Sequence, residues 1–573
     1  MCLCAFILVC LVAGPDNFRA PHELLPDLQD SLLAMALMSW PAHCLQLPQC
    51  SIADFPIFYP EQGALFFTDS LLGIGLIFNL LRIFFSNHLS YNLTLLLLSC
   101  LNFYSFFLLM RFARIRYLAA FLASSAFAAM PYVFQFGAHI QLYCIFLWPL
   151  SLLFCLKLAE SRSPSWLFAL SAVLALTFYL SMSLAIKQFF FVCLALLLSL
   201  SFVEGGALWY WFCSRWRNQL FGALAIGATI LLPLAQQYIQ VRRVHPFVRD
   251  VQDSIPYSLD ILAIPGYLLS FIFPAEFLAD SGLKVDDLQK YSDLEMAGIT
   301  PWIVVGVVLI ALCVFRTALP IWLPSARLQQ LLWISTVSMI ISIILMFGPS
   351  LVIAGNVTDV PSLYRAFYYT VPGFQALRVP VRFILPLVIN AAIAFGIVLD
   401  GMFRLLSHPQ TYKKKLTAFV LVSALIMAFV VDRSPWVYYG RAKAWTLDDI
   451  PTAYEVVKAN PGAPVLELPM WPPSRKTFKH FHYQMQDWNP RLSGISSFFP
   501  KSFYTLRDQM ASCPGHDCFH ALQLSPADIF IVRLPALNPK KLNSWRQADL
   551  RPYGFSLQPQ SSRRIMVWLR DDR

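Results

Sequence analysis

Asp30-Ser-Leu-Leu-Ala-Met-Ala-Leu-Met-Ser-Trp40-Pro-Ala-His43, then Asp54-Phe-Pro-Ile-Phe-Tyr-Pro60 and a close at Asp69, is the stretch on which the fold turns. From Gly14 to Asp69 the chain carries seven carboxylates (Asp16, Glu23, Asp27, Asp30, Asp54, Glu61, Asp69) against one strong base, Arg19. Between Asp69 and Asp432 the chain is mostly hydrocarbon. A dense group of acids between apolar spans is costly unless it faces water or lines a wet cavity, so it marks where chemistry can happen. The rest of the chain reads as a scaffold holding this loop over a bilayer.

Composition agrees. Of 573 residues 58% are apolar and only 13% charged, against about 25% charged in soluble domains, which makes this a polytopic membrane protein. The net charge of +11 is the surplus of Lys and Arg that collects on cytoplasmic loops, so no nucleic-acid partner is expected. Most of the thirteen cysteines lie in or beside apolar spans, where a thiol is a small hydrophobe. Cys44 with Cys50, and Cys513 with Cys518, are close pairs able to form small disulfide loops outside the cytoplasm. Neither spacing is a repeated CxxC, which argues against zinc.

The run Cys2 to Gly14 is short for a span, which needs ~17–25 residues, and reads as a first span that is short or cut at its start. Leu71–Phe85 is also short and carries Arg82, which fits an interfacial or re-entrant helix. Full-length runs occur near 90–110, 117–135, 139–157, 165–182, 185–203, 218–235, 300–316, 328–348, 380–402 and 416–432, giving about eleven spans with the first. If 71–85 does not cross, every basic cluster falls on one side: Arg111, Arg114 and Arg116; Lys157 and Arg162; Arg215 and Arg217; Arg316 and Arg327; Arg404 and Lys413–Lys415. The short loops opposite hold almost no base except Lys187. That side is the cytoplasm by the positive-inside rule. The amino terminus is then inside, and the carboxyl terminus outside. The outward loops are 14–89, 236–299 and 349–379. After a membrane domain over 1–432, residues 433–573 have the composition of a small α/β domain, with strand patterns at Pro464–Pro469, Asp528–Val532 and Arg564–Leu569. The fold class is mostly α, polytopic.

Asp30 and Asp54 are the leading candidates for a general base toward an acceptor hydroxyl, or for ligands of a divalent cation that shields a leaving phosphate. Asp30 reads equally as the cap of the helix-like stretch after it, and Asp54 as an Asx-type turn. Asp69 reads as a helix cap first, with Glu61, Tyr59, His43 and His139 as further candidates. Arg378 and Arg382, four apart and on one face if a helix has begun, suit phosphate binding, as do Arg242 and Arg243; interfacial snorkelling is the other reading of such arginines. His480-Phe-His482-Tyr and Asp487-Trp-Asn-Pro-Arg491 mix aromatic and polar groups in the manner of a sugar-binding surface.

The order of Asp30…Trp40-Pro-Ala-His43, Asp54…Phe58-Tyr-Pro60…Asp69, Tyr91-Asn92, Pro131-Tyr132, His139-Ile-Gln141, Trp148-Pro149, Pro372-Gly-Phe…Leu377-Arg-Val-Pro-Val-Arg382, Val465-Leu-Glu-Leu-Pro469 and Trp488-Asn-Pro resembles the GT-C class of integral membrane glycosyltransferases. More narrowly it is similar to bacterial YfhO-type membrane proteins. The resemblance implies transfer of a sugar from a polyprenyl-phosphate-linked donor to an extracytoplasmic acceptor, with inversion, at the outer face of the bacterial cytoplasmic (inner) membrane. It implies an essential acid in the first outward loop, Asp30 or Asp54; the residues themselves leave open whether a divalent cation such as Mg or Mn takes part as cofactor. The rival readings are a non-catalytic lipid-binding assembly protein and a transporter. A transporter would carry midspan acids and repeated halves, which the spans lack.

Overall fold

The computed structural model describes residues 16–129, 137–161, 163–202, 217–247, 249–263, 300–314, 323–407, 442–444, 450–470, 475–534 and 541–571, with isolated residues elsewhere. Most of the first apolar run and of 416–432, Pro131-Tyr132 and residues 264–299 lie outside the described residues.

Helix α1 (Asp30–Cys44) belongs to the first loop, and α2 (Leu72–Arg82) comes after it. The bundle is built from α3 (Asn87–Phe112), α4 (Tyr117–Ala128), α5 (Leu147–Ser161), α6 (Pro164–Leu180), α7 (Met182–Phe202), α8 (Arg217–Val244), α9 (Thr300–Val314), α10 (Ala326–Met346) and α12 (Ile384–Ser407), with α11 (Leu363–Thr370) in a loop before α12. Among the described residues six helices are long and apolar enough to cross a membrane: Asn87–Phe112, Ile140–Ser161, Met182–Ser199, Asn218–Val244, Ala326–Met346 and Pro380–Ser407. Helices α4 and α6 are apolar but shorter.

The last of the six is the axis of the bundle. Every residue of its apolar window is buried, which is where a helix apolar all round must sit. It packs on α4, α9 and α10. Gly396 allows the close approach to α4, since a Cβ there would stand 2.8 Å from the Cβ of Ala123. Helix α8, by contrast, is mostly exposed along its span and touches the bundle through α6. Helix α2 leaves Leu76 and Leu80 bare, and Ile83, Phe84 and Phe85 continue that exposed apolar edge. Such a short helix with one greasy side suits the membrane interface.

The two ends of α12 differ in charge. Near its carboxyl end Asp400, buried, meets Arg404 at 2.8 Å and Arg116 at 3.6 Å. Arg327 pairs with Glu160 and donates to the Phe112 carbonyl, while Lys157 sits 5.7 Å from the Phe112 ring. Basic groups separated in sequence thus gather at one end. Arg382 stands just ahead of Ile384 at the other, about 24 Å away along the helix from Asp400 at 1.5 Å per residue.

Between α10 and α12 a hairpin of β2 (Ser350–Ile353) and β3 (Asn356–Pro361) precedes α11. The carboxyl-terminal part builds a four-stranded sheet in the order β5 (Val465–Leu468), β6 (Ile529–Arg533), β8 (Ile565–Arg570), β7 (Phe555–Leu557), with β5 parallel to β6 and the other pairs antiparallel. Strands β5 and β6 are buried throughout, hence their near-continuous apolar sequence. The two exceptions, Glu467 in β5 and Arg533 in β6, are paired with each other, and Glu467 accepts from the Tyr454 hydroxyl at 2.7 Å.

This sheet region does not hang free of the first loop. Strand β1 (Leu24–Leu25) pairs with β4 (Ala442–Lys443). Helix α1 packs on α13 (Arg475–Asp487), Tyr59 N donates to the Arg491 carbonyl at 2.9 Å, and Arg491 N donates to the Pro56 carbonyl at 3.0 Å. The segment read as a sugar-binding surface is this buried seam. His480, His482, Gln484, Asn489 and Arg491 are all buried, Arg491 is bound to Asp487, and Trp488 packs on Trp40 and His43.

Candidate functional site

At the Arg382 end of α12 four segments enclose a cavity of about 330 Å³. The first loop contributes Phe66 to Asp69, the start of α7 gives Met182, Ser183 and Lys187, the end of α8 and its continuation give Tyr238, Arg242, Phe247 and Arg249, and residues 375–382 give Gln375, Arg378 and Arg382. Gln141 and the carboxyl-terminal pair Ser497 and Phe498 complete the wall. Among the described residues, five cationic side chains therefore line the cavity with one carboxylate. That balance suits a ligand carrying negative charge.

The carboxylate is Asp69. It does cap a helix, but not the one next to it in sequence. Its oxygens accept from Met182 N at 2.8 Å and the Ser181 hydroxyl at 2.9 Å, so it closes the amino terminus of α7. Burial raises its pKa, while the bonds from Ser181, Met182 and Ser183 and the charge of Lys187 pull it back. Fixing that terminus aims Lys187, itself buried, into the cavity.

Asp30 lies beside the cavity rather than on its wall. The helix cap expected of it is supplied by Asp27, which accepts from Ser31 N at 3.0 Å and Gln29 N at 3.1 Å. Asp30 is thereby released to meet His139, whose Nδ1 is 3.4 Å from its Oδ2. Burial and the neighbouring Asp27 push its pKa up to about 7, opposed by Arg382. Arg382 is thus the link between Asp30 and the cavity wall.

Asp54 sits elsewhere. Its Oδ1 accepts from Gly63 N at 2.7 Å, nine residues on, which ties the loop closed without forming an Asx turn, and it does not line the cavity. Glu61 is 3.5 Å from His245 and accepts from the Ser502 hydroxyl. Tyr59 is partly exposed at the carboxyl-terminal seam. His43 stacks on Trp488 with centroids 5.1 Å apart, and burial, then the charge of Arg82, lowers its pKa. The sulfurs of Cys44, next to His43 in sequence, and Cys50 are bonded, as are those of Cys513 and Cys518 in the carboxyl-terminal part.

Of the arginines, Arg242, Arg378 and Arg382 line the cavity, and Arg243 is exposed away from its wall. Arg378 and Arg382 do not share a helical face: α12 begins at Ile384 after a 3-10 turn at Pro380–Phe383, and Arg378 precedes both. Both reach the cavity because the loop turns them there. Arg249 and Lys187 were not among the site residues read from sequence. Lys187 had a signal, as the lone base on the acidic side. Among the described residues no three His, Cys, Asp or Glu side chains converge as a metal site.

No protein-family model and no curated protein matches the chain. Solved structures do match. The mycobacterial arabinofuranosyltransferase AftD superposes with a TM-score of 0.51 at 14% identity, covering 99% of this chain and 41% of that one. The oligosaccharyltransferase of Archaeoglobus fulgidus, in its apo form, gives 0.50 at 12% identity, covering 99% and 74%. The chain shares its fold with these two glycosyltransferases. The chain spans less than half the length of AftD.

Proposed function

We propose that the chain is a GT-C glycosyltransferase that moves a sugar from a polyprenyl-phosphate-linked donor to an extracytoplasmic acceptor. The observation that carries this reading is the meeting of Lys187, Arg242, Arg249, Arg378 and Arg382 in one cavity, with Asp30 and His139 at its side. Asp30 takes the proton of the acceptor hydroxyl as its oxygen attacks the anomeric carbon, and a carboxylate near neutrality is suited to this. The bond from that carbon to the phosphate oxygen breaks on the opposite face, inverting the centre. The cationic side chains meet the charge that develops on the leaving phosphate.

In this reading the basic end of the bundle faces the cytoplasm and the cavity faces outward. The chain then crosses about eleven times, with 433–573 as an extracytoplasmic α/β domain. The resemblance to YfhO-type proteins supports a bacterial cell envelope as the setting. Asp54 and Arg243 take no part in the chemistry.

The test is transfer of labelled sugar in membranes supplied with a polyprenyl-phosphate sugar. Wild-type protein should turn over, and Arg382→Gln should lose most of that turnover while remaining folded. Binding of the lipid with no transfer to any acceptor pool, in wild type, would favour the lipid-binding assembly reading instead.

A further inference from the structure

We propose that Tyr91 and Asn92, adjacent on α3, are positioning residues that bring Asp30 and His139 together. Tyr91 holds the turn before His139, and Asn92 holds the loop that leads to Asp30. Their part in catalysis rests on the glycosyltransferase reading; their hold on the two segments does not.

Neighbouring residues on a helix point about 100° apart, so two adjacent polar side chains can reach two different segments. Both side chains are buried. The Tyr91 hydroxyl donates to the Gly137 carbonyl at 2.8 Å and reaches that of Ala138 at 3.2 Å. The side-chain amide of Asn92 donates to the carbonyls of Pro21 at 2.9 Å and Leu24 at 2.8 Å. Buried polar groups need such partners. Here all four accepting carbonyls belong to the two segments that deliver the Asp30–His139 pair.

Each segment is fixed a second time. After His139 comes the short helix Ile140–Tyr143, and α3 holds its last residue as well: Asn102 donates to the Tyr143 carbonyl at 2.9 Å, and the hydroxyls of Ser99 and Tyr143 are 2.5 Å apart. Tyr91 and Asn102 lie about three turns apart on nearly one face of α3, so His139 is bracketed between two anchors on a single helix. On the other segment Leu25 pairs with Ala442, and Asp27 closes the turn into α1 by accepting from Gln29 N and Ser31 N. Asp30 thus enters α1 from a backbone tied down on both sides of Leu24.

The result is a set distance, 3.4 Å from Nδ1 of His139 to Oδ2 of Asp30. A reacting group misplaced by about 1 Å can cost about 10²-fold in rate. The anchors therefore bear on turnover beyond their share of stability. Phe in place of Tyr91 keeps a ring in the core and removes only the donor.

The experiment compares full-length wild type, Tyr91→Phe and Thr94→Val in nanodiscs, with melting temperature as the check on folding. Thr94→Val is the control, since it removes a buried hydroxyl bonded to the Ser90 carbonyl of α3 itself. Labelling by diethyl pyrocarbonate, read by mass spectrometry, reports how firmly His139 is held, with the exposed His516 as internal standard. Tyr91→Phe should label His139 about threefold or more faster, and the control should match wild type. In sugar transfer Tyr91→Phe should lower kcat by about tenfold or more with donor KM unchanged. That loss should vanish in a His139→Ala background, because Tyr91 acts through His139. Asn92→Leu should lower kcat likewise, and an unaltered kcat there would remove Asn92 from the proposal. If His139 labels in Tyr91→Phe as in wild type, the placement is wrong. If it labels faster while kcat holds, or if the loss persists in His139→Ala, the role is merely structural and the proposal is overturned. If wild type transfers no sugar, the glycosyltransferase reading fails, while the labelling still decides whether Tyr91 holds His139.

Discussion

Nδ1 of His139 lies 3.4 Å from Oδ2 of Asp30, joining the first acidic loop to the turn ahead of the Ile140–Ser161 span. The contact gives the proposed base a fixed orientation next to Arg382, and its placement has consequences for the pH dependence of both rate and stability.

A base must be charged to accept a proton. With Asp30 raised to about 7, turnover should climb as pH rises through that value and then level off. Asp30→Asn should remove the climb and lower turnover by about 10²–10⁴-fold. A pH–rate profile of the two proteins checks this, and an unchanged profile in the variant would exclude Asp30 as the base.

Stability runs the other way. The folded-state pKa lies above the ordinary value of 3.8, so between about 4 and 7 the folded protein keeps a proton that the unfolded chain has lost. Stability therefore falls as pH rises across that window. Melting curves of wild type and Asp30→Asn from pH 4 to 8 should converge at low pH and separate at high pH, with the variant the more stable there.

Lys187→Met should lower turnover by about tenfold or more, because a buried cation facing the cavity is lost. Donor KM should change less than kcat if Lys187 acts mainly on the developing charge. The reverse split would place it in ground-state binding.

The opposite end of the bundle offers a control. Asp400→Leu strips Arg116 and Arg404 of a buried partner. The loss should be about 2 kcal/mol, less than the ~3–5 kcal/mol for a fully buried pair, since Arg116 retains 44% side-chain exposure. Thermal melting should report it, with KM unaltered in the protein that remains folded.

Opening the Cys44–Cys50 bond should release the turn that follows His43. Closure of so short a loop is worth roughly 2 kcal/mol in the chain-entropy account. The exposed Leu45 and Leu47 should then be cut sooner in limited proteolysis with reductant, and equal digestion rates would count against any bracing role.

The strands at Val465–Leu468, Ile529–Arg533 and Ile565–Arg570 were legible because burial on both faces leaves apolar runs. The hairpin at 350–361 was not, since its exposed Asn-Val-Thr-Asp-Val-Pro strand carries no alternation of burial. Asp30 and His139 were each visible as candidates, but nothing in a sequence pairs residues from different helices. Asp69 was read as a cap for its own helix and closes α7 instead, because backbone donors do not announce which loop will satisfy them. Arg249 was hidden for the same reason: its neighbours Ala376 and Ser497 are brought to it only by the fold. The aromatic-polar seam at residues 480–491 looked like a ligand surface, and proved to be where the first loop docks.

The most direct measurement is the structure of the full-length chain with a polyprenyl-phosphate sugar analogue bound. Phosphate density among Arg249, Arg378, Arg382 and Lys187, with the sugar turned toward Asp30, is the expected result. A lipid phosphate seated outside this cavity, in a preparation that transfers sugar, would contradict it.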